Sequence, residues 1–151
     1  PKTRQTLARA ILCASLRHGA YDLADGAKAT PANMIKREYH HLFPEAYLAQ
    51  AQDVDTNTIS RALNCSLITW TTNRRIGAKP PLTYLRERVE LSNLGEDEVK
   101  HRLQSHLIPW DEFANPSSDD VALSYQRFVE ARAELMADYL AQLCVGAEPR
   151  Q

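Results

Sequence analysis

Several features that would assign this 151-residue chain to a special class are missing. It has three cysteines, Cys13, Cys65 and Cys144, an odd number at wide spacing. That excludes a CxxC zinc pair and a disulfide framework, and it points to a reducing cytoplasm. No apolar run exceeds a handful of residues, so no segment is expected to cross a bilayer, and no basic-then-apolar leader opens the sequence. There is no internal repeat, no low-complexity tract and no linker between two halves. Neither sign of charge dominates: 18 basic residues stand against 19 acidic, a net charge of −1, so the total selects no partner. The first residue is Pro1, not Met, and a piece of a longer protein is the expectation.

What is there is ordinary in bulk. Hydrophobic residues make up 44% and charged residues 25%, values of a soluble globular domain and not of a disordered tail. At this length folding buries roughly two-thirds of the unfolded surface, enough for a core without staples. A single domain over residues 1–151 is expected.

The distribution of charge says more than its sum. From Arg61 to Arg88 six basic residues, Arg61, Arg74, Arg75, Lys79, Arg86 and Arg88, meet one acid, Glu87, a local +5. From Asp111 to Asp138 seven acids meet Arg127 and Arg132, a local −5. A basic middle in a neutral chain suits a protein that meets phosphates at one place, although two solvated faces of opposite sign would look the same.

Periodicity makes the chain mostly helical with a little strand. Leu7, Ile11, Leu12 and Leu16 keep helical spacing from Thr3 to Arg17, with Gly19 as the stop. Tyr21 to Asn33 has no apolar period and reads as a loop. Tyr39 to Phe43 is a short strand ended by Pro44, and Glu45 to Gln52 a turn or two of helix. Cys65 to Trp70 is a second strand, rich in strand-favouring residues. Helices are expected over Thr83–Leu91 and Glu96–Leu107. The last and clearest runs through Val121, Tyr125, Phe128, Arg132, Leu135, Tyr139 and Leu143, capped by Ser117 or Ser118.

Two stretches carry chemistry. One is Glu38-Tyr39-His40-His41-Leu42-Phe43-Pro44; the other runs from Asn64 through Asn73-Arg74-Arg75-Ile76-Gly77-Ala78-Lys79. Singly, each has an ordinary explanation. Adjacent histidines on a strand point to opposite faces, an Asn before a strand is usually a turn residue, and Glu38 beside them is more often solvated than an outer partner of a ligating histidine.

Together they resemble the His-Me finger, or HNH, nucleases, whose core is two strands and a helix around one divalent metal. The first stretch has that family's ligand-then-histidine pair before a Pro-containing turn. In the second, Asn64 and Asn73 stand nine apart and are followed by basic residues, Gly and Lys. With Lys79-Pro80-Pro81-Leu82-Thr83-Tyr84-Leu85, His106-Leu107-Ile108-Pro109 and a closing helix, residues 7–143 are similar to the C-terminal nuclease domain of GmrSD-type modification-dependent restriction proteins. Phosphorothioate-sensing anti-phage proteins share that plan. The sequence departs from many HNH proteins in having His40 where they have Asp, and in lacking zinc-binding cysteine pairs.

The resemblance implies an α+β fold, mostly helical, with a ββα-metal core, and a metal-dependent DNA endonuclease or nickase of a bacterial restriction system. It implies His41 as general base and Asn64 as the residue that ties the loop and orients it. His40 and Asn73 become the ligands of a divalent metal, Mg²⁺ or Mn²⁺, and Arg74, Arg75 and Lys79 the contacts to DNA phosphates. A neutral imidazole can take a proton from water near neutral pH, and a cation with few protein ligands suits Mg²⁺. The implied partners are DNA and an N-terminal nucleotide-hydrolysing domain, with self-association open. The alternatives are a DNA-binding module without cutting activity and an interaction domain that docks through its acidic last helix.

Overall fold

The structure is a computed structural model that describes residues 3–51, 54, 57–77, 79–91, 95–115 and 120–146. Its elements in chain order are α1 (Thr3–His18), β1 (Arg37–His41), α2 (Glu45–Leu48), α3 (Thr58–Leu63), β2 (Cys65–Thr69) and α4 (Trp70–Ile76). They continue with α5 (Pro81–Leu91), α6 (Gly95–Gln104), α7 (Trp110–Ala114) and α8 (Val121–Cys144). The protein is therefore α+β and mostly helical, with one small antiparallel sheet among the described residues. None of its described helices is long and apolar enough to cross a membrane.

The sheet pairs β1 with β2 so that Arg37 lies opposite Thr69, Tyr39 opposite Leu67 and His41 opposite Cys65. Strand β1 starts two residues earlier than its apolar residues suggest and stops at His41. Leu42 and Phe43 then turn into the core, 0% and 3% exposed. Strand β2 ends at Thr69, and Trp70 opens α4 at once, because the Thr69 side chain caps that helix by accepting from the Thr72 amide. Gly77, at φ 59°, stops it in a backbone conformation that other residues rarely adopt. Helix α4 packs on both strands.

Two apolar cores hold these parts. In the larger, Phe43 touches the rings of Tyr47, Phe113, Tyr125 and Phe128 at centroid distances of 5.0 to 6.3 Å. A fully buried Phe contributes about 1.5–3 kcal/mol, so the chain is clamped two residues beyond His41. In the smaller, Ala8, Ile11 and Ala14 of α1 meet Ala62 and Leu63 of α3 and Met136 and Tyr139 of α8. Arg132, completely buried, donates to the carbonyls of Leu63, Cys65, His106 and Leu107, pinning the start of β2 to the turn after α6.

Some boundaries differ from expectation for identifiable reasons. Helix α6 ends at Gln104, short of Leu107, because Leu107 takes a positive φ of 55° and turns the chain. The cap of α8 is Asp120, whose carboxylate accepts from the amides of Ala122 and Leu123; Ser117 and Ser118 lie outside the described residues. On α8 Met136 is buried, whereas Leu135 is 41% exposed.

Candidate active site

Side chains alternate along a strand, so Glu38 and His40 share one face of β1, while Arg37, Tyr39 and His41 share the other. On the Glu38–His40 face the structure brings together three polar side chains. His40 Nδ1 lies 2.6 Å from Asn73 Oδ1, and Asn73 Nδ2 donates to Glu38 Oε1. Asn73 reaches them from the middle of α4, since that helix begins at Trp70. His40 and Asn73 are 33 residues apart in the chain, and only the β1–β2–α4 packing joins them.

Burial lowers the pKa of His40, and the neighbouring His41 adds to this, against the opposing effects of the Asn73 hydrogen bond and Glu38. The ring is thereby kept neutral, the form that ligates metals. Its Nε2 is buried without a hydrogen-bonding partner, and so is the hydroxyl of Ser66, the residue directly opposite in the ladder. The Cβ atoms of such a pair stand about 4.5–5.5 Å apart, so both of these unpaired polar atoms belong to side chains on one face of the sheet.

An imidazole nitrogen and an amide oxygen in contact, with a carboxylate behind them, match the donors a small divalent ion takes. In the metal-free protein the two atoms share a hydrogen bond at 2.6 Å, and a cation held by both would take the place of the ring proton that joins them. Among the described residues no three His, Cys, Asp or Glu side chains form a metal-binding group. The donors here are one imidazole and one amide, a lean set suited to an ion that keeps most of its waters.

The remaining expected residues fall around this cluster. Asn64 is buried and brackets Phe43, accepting from its amide and donating to its carbonyl, both at 2.8 Å. It thus locks the backbone two residues after His41. His41, half-buried at the end of β1, faces away from His40 and Asn73. Arg74 and Arg75 are exposed on α4. Lys79 is drawn to Glu87 at 2.6 Å, a partly exposed pair of the kind that contributes little to stability.

Glu38 is the residue the sequence reading undervalues. Its position two before His40 on a strand is itself the signal, since a period of two puts both on one face. Asp22 carries no such signal. It is fully buried in the loop after α1 and accepts from Thr69 N and Thr72 Oγ1, both at 2.6 Å, at the start of α4. The other histidines have structural surroundings. His106 is enclosed, donates from Nε2 to the Tyr21 carbonyl at 2.7 Å, and is pushed down to about 4 by burial. His18 packs edge-on against Tyr139, and His101 lies by Tyr21.

No family model and no solved structure matches the chain. It is similar to the uncharacterized protein MJ0686 of Methanocaldococcus jannaschii, with 30% identity over 122 residues, taking in 72% of this chain and 21% of that protein. The chain therefore spans about a fifth of the length of the curated relative it matches.

Proposed function

We propose that this protein is a metal-dependent DNA endonuclease of the His-Me finger type, cutting one strand at a time within a bacterial restriction system. The observation that carries the reading is the contact of His40 Nδ1 with Asn73 Oδ1, made across an antiparallel strand pair followed directly by a helix. That order and pairing support a ββα-metal core.

His40 and Asn73 would hold a divalent cation, Mg²⁺ or Mn²⁺, which when bound supplies Lewis-acid stabilisation of charge on the phosphate and the leaving oxygen. His41 takes the proton of the attacking water. Asn64, by locking Phe43, limits how far the end of β1 and hence His41 can move. Arg74 and Arg75 on α4 bind neighbouring phosphates, and Lys79 joins them by exchanging its Glu87 partner for the DNA backbone. The reading carries an N-terminal nucleotide-hydrolysing domain as partner and a cytoplasmic location, supported by three unpaired cysteines.

The test is nicking of supercoiled plasmid by the purified 151-residue chain with Mg²⁺, with Mn²⁺ and with EDTA. Cation-dependent conversion to open circles is the expected result. Intact plasmid under all three conditions, with DNA binding retained, would establish a binding module instead.

A further inference from the structure

Glu38 and Asn73 form a pair with a definite polarity. A carboxylate offers only acceptors, so the amide must give Glu38 its nitrogen end. That leaves the amide oxygen facing His40 Nδ1, and an oxygen there requires the ring proton on Nδ1 in the metal-free protein. The arrangement of donors and acceptors is thus dictated from one end, by Glu38. Without it the Asn73 amide has two nearly isosteric orientations, one of which turns an N–H donor towards any cation beside His40.

We propose that Glu38 is a positioning residue of the cation site: by holding the nitrogen of Asn73 it aims the amide oxygen at the place beside His40 where a divalent ion binds. The proposal rests on the reading of His40 and Asn73 as cation ligands. Glu38 acts through Asn73, as the outer partners of metal ligands do, and its carboxylate adds negative charge near the ion.

The experiment pairs Mn²⁺ titration, by calorimetry or electron paramagnetic resonance, with long-range ¹H–¹⁵N spectra of His40 in the metal-free protein. It uses the parent chain, Glu38→Gln, Glu38→Ala and Asn73→Ala. Glu38→Ala should bind Mn²⁺ ~10–100-fold more weakly and lose the preference of His40 for the Nδ1-protonated tautomer. Glu38→Gln keeps the shape of the residue and can still offer an oxygen to Asn73, but is not confined to doing so. It should fall between the parent and Glu38→Ala, and it serves as the test should Glu38→Ala fold poorly. Parent-like Mn²⁺ affinity in both Glu38 variants overturns the proposal. So does weakened Mn²⁺ binding with an unchanged His40 tautomer, because the carboxylate would then act by charge alone. Unchanged Mn²⁺ binding in Asn73→Ala sinks the cation-site reading beneath it, a failure separable from the others because the tautomer is read without metal.

Discussion

Asp22 and Thr72 are 50 residues apart in the chain and 2.6 Å apart in space, the Thr72 hydroxyl donating to Asp22 Oδ1. The same carboxylate accepts from the amides of Thr69, Ala24 and Asp25. It thereby caps α4 from outside, where the helix's own Thr69 side chain reaches the Thr72 amide at 3.3 Å. A seven-residue helix does not stand alone in water, so α4, which carries Asn73, depends on this anchor.

Asp22→Ala should cost about 3 kcal/mol, because it leaves several buried donors unpaired. Burial raises the pKa of Asp22, but its hydrogen bonds outweigh this and hold it below 3.8. A depressed carboxylate stabilises the fold above its unfolded-state pKa, and that contribution is lost as pH falls through the lowered folded value. Urea unfolding from neutral pH down to about pH 3 should therefore show a shallower acid loss in Asp22→Asn than in the parent. Identical slopes would show that another carboxylate governs this limb.

Arg132 is the second anchor. Its guanidinium serves four backbone carbonyls at once, and burial holds its pKa down to about 10. Arg132→Met should destabilise by about 3 kcal/mol through unpaired buried carbonyls, with Arg132→Lys recovering part of it. A change within about 0.5 kcal/mol for Arg132→Met in urea titrations would refute the assignment.

His41→Ala should slow plasmid nicking by ~10²–10⁴-fold with the fold intact, the usual cost of losing a general base. His40→Ala and Asn73→Ala should also lose activity, but excess Mn²⁺ should partly restore them and should not restore His41→Ala. Equal rescue of all three, or of none, would remove the distinction between base and ligand.

Binding to DNA should depend on salt in proportion to few phosphates. With three or four basic side chains engaged around α4, the slope of log affinity against log salt should lie near −3, at roughly −0.9 per phosphate. Phosphate contacts carry no sequence information, so cut sites should scatter along the plasmid. Fluorescence anisotropy at graded salt and mapping of the cuts provide the check; salt-insensitive binding or one discrete cut site would contradict it.

The elements legible in the sequence are those whose signal is local. The strand-forming run from Cys65 and the amphipathic stripe of α8 are written in neighbouring residues, and each forms close to where that pattern puts it, while α5 begins at Pro81, two residues before the expected Thr83. Helices α3 and α7, six and five residues long, lack enough turns to show a period. They exist because tertiary packing buries Ala62, Leu63 and Phe113. The histidine pair and Asn73 were visible as residue types at suggestive spacing.

Sequence alone thus determined the helical character, the strand pair and the residue types that stand in the two polar stretches, because composition and period are properties of neighbouring positions. Only the tertiary structure decided which of them meet. Antiparallel register set Glu38 and His40 on one face and His41 on the other, and the anchoring of α4 by Asp22 carried Asn73 across 33 residues to His40. These contacts depend on loop closures between distant segments. Their cost and reward are settled by the whole core, and no short stretch of sequence encodes them.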